Sequence, residues 1–196
     1  MVTLDPVAKP LDHLTLRGEA GAPALVLRDR VLDFAELDRR VGQIAAWLGQ
    51  CVSVKGSRVA SWAAKGEMTC LLPLAAARAG LVHVPINPLL KRAQAAHILA
   101  DCGASLLIGT EARIASMEDG DVPPTCRVLG EKAALAEVDD LSGYLGPAAA
   151  APDDLAAILY TSGSTGSKWP FKTFATVGKP AIIIFIPATS RSKKAS

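Results

Sequence analysis

Aromatic residues are scarce in this chain, nine among 196, and histidines scarcer still, with only three. His13, His83 and His97 do not cluster and follow no Ser-His-Asp order, so nothing points to a hydrolytic triad. Four cysteines, Cys51, Cys70, Cys102 and Cys126, contain no C-x-x-C pair. That spacing excludes a zinc ribbon and a small disulfide scaffold, leaving reduced thiols, some buried as small hydrophobes. Long apolar runs are missing too: residues 181–186 fall far short of the roughly 20 residues that cross a bilayer. Asp5, Lys9 and Asp12 interrupt the first residues, so no leader peptide is expected. These absences predict a cytoplasmic chain with no membrane span.

Net charge is also small, at +2, but it hides an asymmetry. Residues 167–196 hold five Lys, one Arg and no acidic residue, whereas upstream Arg outnumbers Lys ten to five and the balance is negative. Four of the nine aromatics, Trp169, Phe171, Phe174 and Phe185, lie in that short tail. A basic tail can meet nucleic acid or a membrane surface. The plainer reading, a solvated or disordered extension with no nucleic-acid partner, is the expectation here. The run Ile182, Ile183, Ile184, Phe185, Ile186 within it predicts an aggregation-prone strand and low solubility.

What is present is an alternation of strand and helix. Residues 24–27 and 31–34 read as two strands around charged Arg28, Asp29 and Arg30. Asp33 followed by Glu36 is a helix start signal, since each side chain can satisfy a backbone N–H of the other. The helix that follows places Leu37, Val41, Ile44 and Leu48 on one stripe, with Asp38, Arg39, Arg40 and Gln43 off it. Strands are expected at 58–62, 81–86, 105–108, 127–129 and 155–160. Helices are expected at 67–79, 91–102, 111–117 and 131–138. Gly80 and Gly103 serve as helix stops, and Pro73 distorts its helix unless it falls in the first turn. Apolar strands alternating with helices imply βαβ units, an α/β fold with a mostly parallel sheet covered by helices on both faces. Residues 139–154, rich in Gly, Pro, Asp and Ala, read as a connecting loop.

The last of these strands runs into Thr161, Ser162, Gly163, Ser164, Thr165 and Gly166. Two glycines let backbone N–H groups converge on an anion with no Cβ in the way, and four hydroxyls add adjustable donors. The carboxyl end of a parallel strand is where ligands gather in α/β folds. The remaining polar and aromatic residues have plain roles. His83 is expected as a satisfied core or pocket-lining group, His97 at the surface or a boundary, and Trp47 and Trp62 in packing. Asp139, Asp140, Asp153 and Asp154 read as turn and boundary residues. No catalytic residue and no metal ligand is assigned.

The run Leu155-Ala156-Ala157-Ile158-Leu159-Tyr160-Thr161-Ser162-Gly163-Ser164-Thr165-Gly166 resembles the phosphate-loop signature of the adenylate-forming (AMP-binding) superfamily. Four upstream segments resemble the same family in order. They are Leu32-Asp33-Phe34-Ala35-Glu36-Leu37, Lys55-Gly56-Ser57-Arg58-Val59-Ala60, the stretch from Ala79 to Pro88, and the stretch from Leu99 to Ile108. The resemblance implies that 1–166 is the N-terminal part of an adenylation domain. It implies ATP with Mg2+, a carboxylate substrate activated to an acyl-adenylate, and transfer to coenzyme A by an acyl-CoA synthetase. Asn87-Pro88-Leu89-Leu90-Lys91 is most similar to bacterial acyl-CoA ligases, including a group associated with exosortase systems. An amino-acid adenylation domain is the alternative.

The family pattern continues T-G-x-P-K-G, whereas Gly166 is followed here by Ser167, Lys168, Trp169 and Pro170. Nothing in 167–196 matches the family, and the composition changes at the same place, as a reading-frame change would produce. The remaining catalytic elements of the family belong downstream, so this polypeptide alone is expected to be inactive. A non-catalytic product with a basic interaction tail is the other reading. A P-loop hydrolase is disfavoured: Ser167 separates Gly166 from Lys168, and Trp169 stands where a magnesium-binding hydroxyl belongs.

Overall fold

A computed structural model describes residues 9–147 and 154–160, and the backbone of 182–185. A 3-10 helix at Leu11–Leu16 precedes a two-stranded antiparallel hairpin of β1 (Pro23–Val26) and β2 (Val31–Asp33). Next comes α1 (Phe34–Cys51), started as its sequence predicts. The Glu36 N–H donates to Asp33 Oδ1 at 2.8 Å, and the Asp33 N–H donates to the Glu36 carboxylate at 3.4 Å. Leu37, Val41, Ile44 and Leu48 are all buried along its inner stripe.

The remaining elements build the sheet. They are β3 (Arg58–Trp62), α2 (Glu67–Arg78), β4 (Val82–Pro85), α3 (Arg92–Cys102), β5 (Ala104–Gly109), α4 (Glu111–Ile114), β6 (Arg127–Gly130), α5 (Glu131–Asp140), β7 (Ala157–Tyr160) and β8 (Ile182–Phe185). Their order across the sheet is β6-β5-β3-β4-β7-β8, and every neighbouring pair is parallel. The expected helix at 111–117 is one turn only, because α4 ends at Ile114.

Two cores lie on opposite faces. Val59, Leu106 and Ile108 meet α1, α2 and α5 on one face; Ala60, Trp62, Val84 and Leu107 meet α3 on the other. Crossovers that move one way across the sheet use α2 and α5, and those that move back use α3 and α4. Swapping face with direction keeps a single crossover hand, as right-twisted strands require. The inward residues of α3 are Ala95, Ile98, Leu99 and Cys102, as the periodicity predicts. Pro73 sits inside α2 beyond its first turn, so the helix forgoes one backbone hydrogen bond there.

The end of α2 explains how β4 is aimed. Gly80 adopts φ +70°, its N–H donates to Ala77 O at 3.1 Å, and the Leu81 N–H donates to Ala76 O at 2.8 Å. This paired closure satisfies two of the helix's last carbonyls and turns the chain directly into the strand.

Two residues placed off the stripe of α1 are held by distant partners, Arg40 buried and Asp38 half-buried. Arg40 is buried and bonds Glu67 at 2.6 Å and Asp139 at 2.5 Å. Asp38 accepts from Thr15 at 2.6 Å, Tyr144 at 2.7 Å and the fully buried Arg78 at 2.7 Å, and Arg78 also pairs with buried Asp12 at 3.3 Å. Burial alone would raise the Asp38 carboxyl, but the hydrogen bonds from Thr15, Tyr144 and Arg78 together hold it below its ordinary value. These partners come from segments too distant in sequence for helical periodicity to reveal. Ile182–Phe185, within the tail expected to be a solvated or disordered extension and within the run expected to form a strand, forms β8 beside β7. The rest of that tail, and residues 148–153 of the connecting loop, lie outside the described residues.

Candidate functional site

The strand that leads to the sequence-predicted loop is β7, fifth in the six-stranded sheet. Thr161, Ser162, Gly163, Ser164, Thr165 and Gly166 themselves lie outside the described residues. Ala157 pairs with His83 of β4, and the His83 N–H donates to Ala156 O at 2.9 Å. The carboxyl ends of β4 and β7 therefore lie side by side, which brings the exit of β4 next to the end of β7.

That exit is a built turn. The Leu89 N–H donates to Asn87 Oδ1 at 2.9 Å, and the Leu90 N–H donates to Asn87 O at 3.0 Å. Arg113, from α4, donates to the carbonyls of Pro88 and Leu90 and lies over the Trp62 ring at 4.8 Å from its centroid. A guanidinium over an indole face is attracted by the ring quadrupole, so Arg113 ties the β4 exit to the end of β3. Neither Arg113 nor this contact was singled out from sequence, because no local spacing signals a partner two strands away.

The Tyr160 phenol donates to Asp101 in the last turn of α3, and burial, followed by that carboxylate, pushes its pKa up. It remains a hydrogen-bond donor at ordinary pH. On the opposite face, His83 Nε2 lies 2.9 Å from Ser61 Oγ, with both residues buried. Burial lowers the His83 pKa to about 4. A neutral, enclosed imidazole is the core group expected from sequence, with no access to act as a base. His97 is exposed, and Trp47 and Trp62 are buried in the cores.

Carboxylates gather at the ends of β3, β5 and β6. Burial, and then Glu111 and Glu67, raise the Glu131 pKa. Glu67 is taken by Arg30 and Arg40, and Glu111 accepts from the Lys132 N–H at 3.2 Å. Among the described residues no group of three or more His, Cys, Asp or Glu could hold a metal ion. A cleft of about 420 Å³ lies instead at the opposite, amino end of the strands, lined by Lys55, Arg78, Gly80, Leu81 and Leu145. Lys55 pairs with Asp154 at 3.2 Å, tying this end to the lead-in to β7. No helix among the described residues is long and apolar enough to cross a membrane.

Comparison with known proteins agrees with this architecture. The family described as AMP-binding enzyme matches residues 14–168. The L-proline--[L-prolyl-carrier protein] ligase of Pseudomonas fluorescens is 33% identical over 147 residues, covering 73% of this chain and 30% of that protein. The fatty acid--[acyl-carrier-protein] ligase ScoC of Streptomyces coeruleorubidus is 31% identical over 150 residues, covering 76% of this chain and 29% of the relative. Among solved structures, ATP-bound MatB from Rhodopseudomonas palustris superposes with a TM-score of 0.67 at 26% identity, covering 79% of this chain and 33% of that one. The chain thus spans about 30% of the length of the curated relatives it matches. With the signature segments in order, the parallel sheet carrying them and this match agreeing, the chain belongs to the AMP-binding enzyme family, that of the adenylate-forming ligases and peptide-synthetase adenylation domains.

Proposed function

We propose that this chain carries the ATP-phosphate-binding portion of an AMP-forming ligase, with Thr161, Ser162, Gly163, Ser164, Thr165 and Gly166 as the phosphate loop. One observation carries the reading: the loop sequence continues directly from β7, in a parallel sheet, at the end where α/β folds bind ligands. The ATP-bound state of its structural relative supports the choice of nucleotide. Backbone N–H groups and hydroxyls of the loop hold the β- and γ-phosphates. A substrate carboxylate oxygen then attacks the α-phosphorus, pyrophosphate leaves, and an acyl-adenylate forms. Attack by a thiol on the acyl carbon releases AMP and forms a thioester. Mg2+ would neutralise charge on the phosphates.

The thiol acceptor in the first reading is coenzyme A, with a fatty or short-chain acyl substrate. Two of the relatives are ligases that load carrier proteins, one with proline and one with a fatty acid. That favours a second reading, in which the thiol belongs to a carrier protein and the substrate is an acyl or amino-acid carboxylate. Residues 1–166 are the N-terminal part of the adenylation domain in this reading, and 167–196 are a tail outside the family pattern. The free cysteines suit a reducing, cytoplasmic location.

The 196-residue polypeptide by itself does not complete adenylation in this reading, because it spans about 30% of its relatives. Two measurements test the proposal. ATP titrated into the chain is expected to bind, and Gly163→Val or Thr165→Ala to weaken it by about tenfold, the loss of one or two charge-assisted contacts. Unchanged affinity in both variants would overturn the loop assignment. Pyrophosphate exchange into ATP, measured with fatty-acid and amino-acid panels, is expected at background. Exchange above background with any substrate would overturn the claim of inactivity.

A further inference from the structure

The cleft at the amino end of the strands is remote from the exits of β4 and β7 and takes no part in the chemistry proposed there. Its volume, about 420 Å³, falls within the roughly 300–1,000 Å³ typical of small-molecule sites. Three segments wall it: the end of α1 with Val52, the turn from α2 to β4 with Ala79 and Leu81, and residues 145–147, which follow α5. The third wall is fixed in place. The Tyr144 hydroxyl donates to Asp38 at 2.7 Å, the Leu145 N–H donates to Gly42 O at 3.0 Å, and Arg78 donates to Leu145 O at 3.5 Å. The cleft is thus formed before any ligand arrives, which spares the cost of ordering it.

Glycines keep the space free of side chains. A Cβ built at Gly49 or at Gly146 would meet no atom within 4 Å, although both residues line the cleft. The lining is mostly apolar side chain and backbone, with two cations. Arg78 has a fully buried side chain and is held by Asp12 and Asp38. Lys55 is the accessible one. Its stem lies across Gly80, where a Cβ would stand 3.3 Å from the Lys55 Cγ. Its ammonium pairs with Asp154 at 3.2 Å, and the Lys55 side chain is 73% exposed. An ion pair that open to water is weak and gives way readily to a competitor. The chain itself therefore presents a carboxylate to this lysine, and so marks where a ligand's carboxylate can stand.

We propose that this cleft binds a small carboxylate with an apolar tail, of the class of a medium-chain acyl anion. The tail lies against Val52, Leu81 and Leu145, and the carboxylate takes the place of Asp154 on Lys55. Apolar walls alone would accept any small hydrophobe, so Lys55 supplies the preference for an anion.

The test titrates octanoate, and octanol as its neutral counterpart, into the full chain, read by amide chemical shifts and calorimetry. Saturable octanoate shifts are expected at 49–55, 79–81 and 145–147, and not at 87–90. Gly49→Leu fills the cleft from the end of α1. It is expected to weaken both probes about tenfold or more while keeping or raising the melting temperature, since leucine suits a helix better than glycine. Should that variant melt lower, Gly146→Leu carries the same comparison from the other wall. Lys55→Met is expected to weaken octanoate about tenfold, the loss of one charge-assisted contact, and to leave octanol unchanged. Asp154→Asn removes the competing carboxylate and is expected to tighten octanoate by about two- to fivefold. Absent or non-saturable shifts in the parent, or parental octanoate affinity in the filled variants, would overturn the site. Equal losses of both probes in Lys55→Met, or no tightening in Asp154→Asn, would overturn the role of Lys55.

Discussion

The buried imidazole of His83 makes the stability of this chain depend on pH in a defined window. His83 is 3% exposed, its Nε2 meets Ser61 Oγ at 2.9 Å, and burial lowers its pKa from 6.5 to about 4. The unfolded chain takes up the proton as pH falls through about 6.5, while the folded chain does so only near 4. The contribution is therefore complete above the unfolded value and is lost as pH falls through that interval. At about 1.4 kcal/mol per unit, the whole loss is about 3 kcal/mol. Chemical denaturation at a series of pH values between 7 and 4 is expected to follow this slope. Asp38, held below its ordinary carboxylate value, adds its own loss only at the acid end. The variant His83→Gln keeps a polar group opposite Ser61 but does not titrate, so its profile should flatten between pH 6.5 and 4.5. A parental profile that is already flat there, or a variant profile with the parental slope, would refute the reasoning.

Other perturbations test the packing around the site-bearing sheet. Arg78→Met removes the buried cation that Asp12 and Asp38 share and should cost about 3–5 kcal/mol by denaturant titration, with Asp12→Asn in the same chain recovering part of it. Asp33→Ala removes the reciprocal cap of α1 and is expected to lower stability by about 1 kcal/mol, read as a shift in the denaturation midpoint at constant slope. Gly42→Ala would place a Cβ 2.2 Å from the Tyr144 ring and 2.9 Å from Leu145 O, so the segment at 144–145 must move. The expected result is a drop in melting temperature together with a change in Tyr144 fluorescence.

The sequence was informative where a signal is local. The inner stripe of α1, the four inward residues of α3, the reciprocal cap at Asp33 and the stops at Gly80 and Gly103 all depend on neighbours within a turn or two. They stand where the periodicity and cap chemistry place them. The partners of Arg40 and Asp38 were not legible, because their counter-ions come from α2 and α5, and the hydrogen bonds to Asp38 come from Thr15 and Tyr144. Charged residues beside an apolar stripe look the same in sequence whether water or a distant counter-ion receives them. The place of Ile182–Phe185 was hidden for a related reason: a short β-branched run shows strand propensity, but its pairing partner lies in another part of the chain. For the site, the strand expected to lead into the loop is present as β7, whereas the loop residues themselves lie outside the described residues. The turn at Asn87, braced by Arg113 against Trp62, became visible only in three dimensions.

The strand order has a kinetic consequence. The three central strands, β3, β4 and β5, come from one continuous stretch joined by α2 and α3, so their mutual contacts close short loops. β6 then adds at one edge. To place β7, the chain must leave β6 at that edge and cross over to the far side of β4. Closing such a non-local pairing draws on more chain entropy than any earlier step. The strand that bears the candidate loop is therefore expected to dock late, onto a sheet whose centre is already formed. During synthesis the central βαβαβ unit can emerge and fold first, and β7 would dock only after the crossover from β6 has closed.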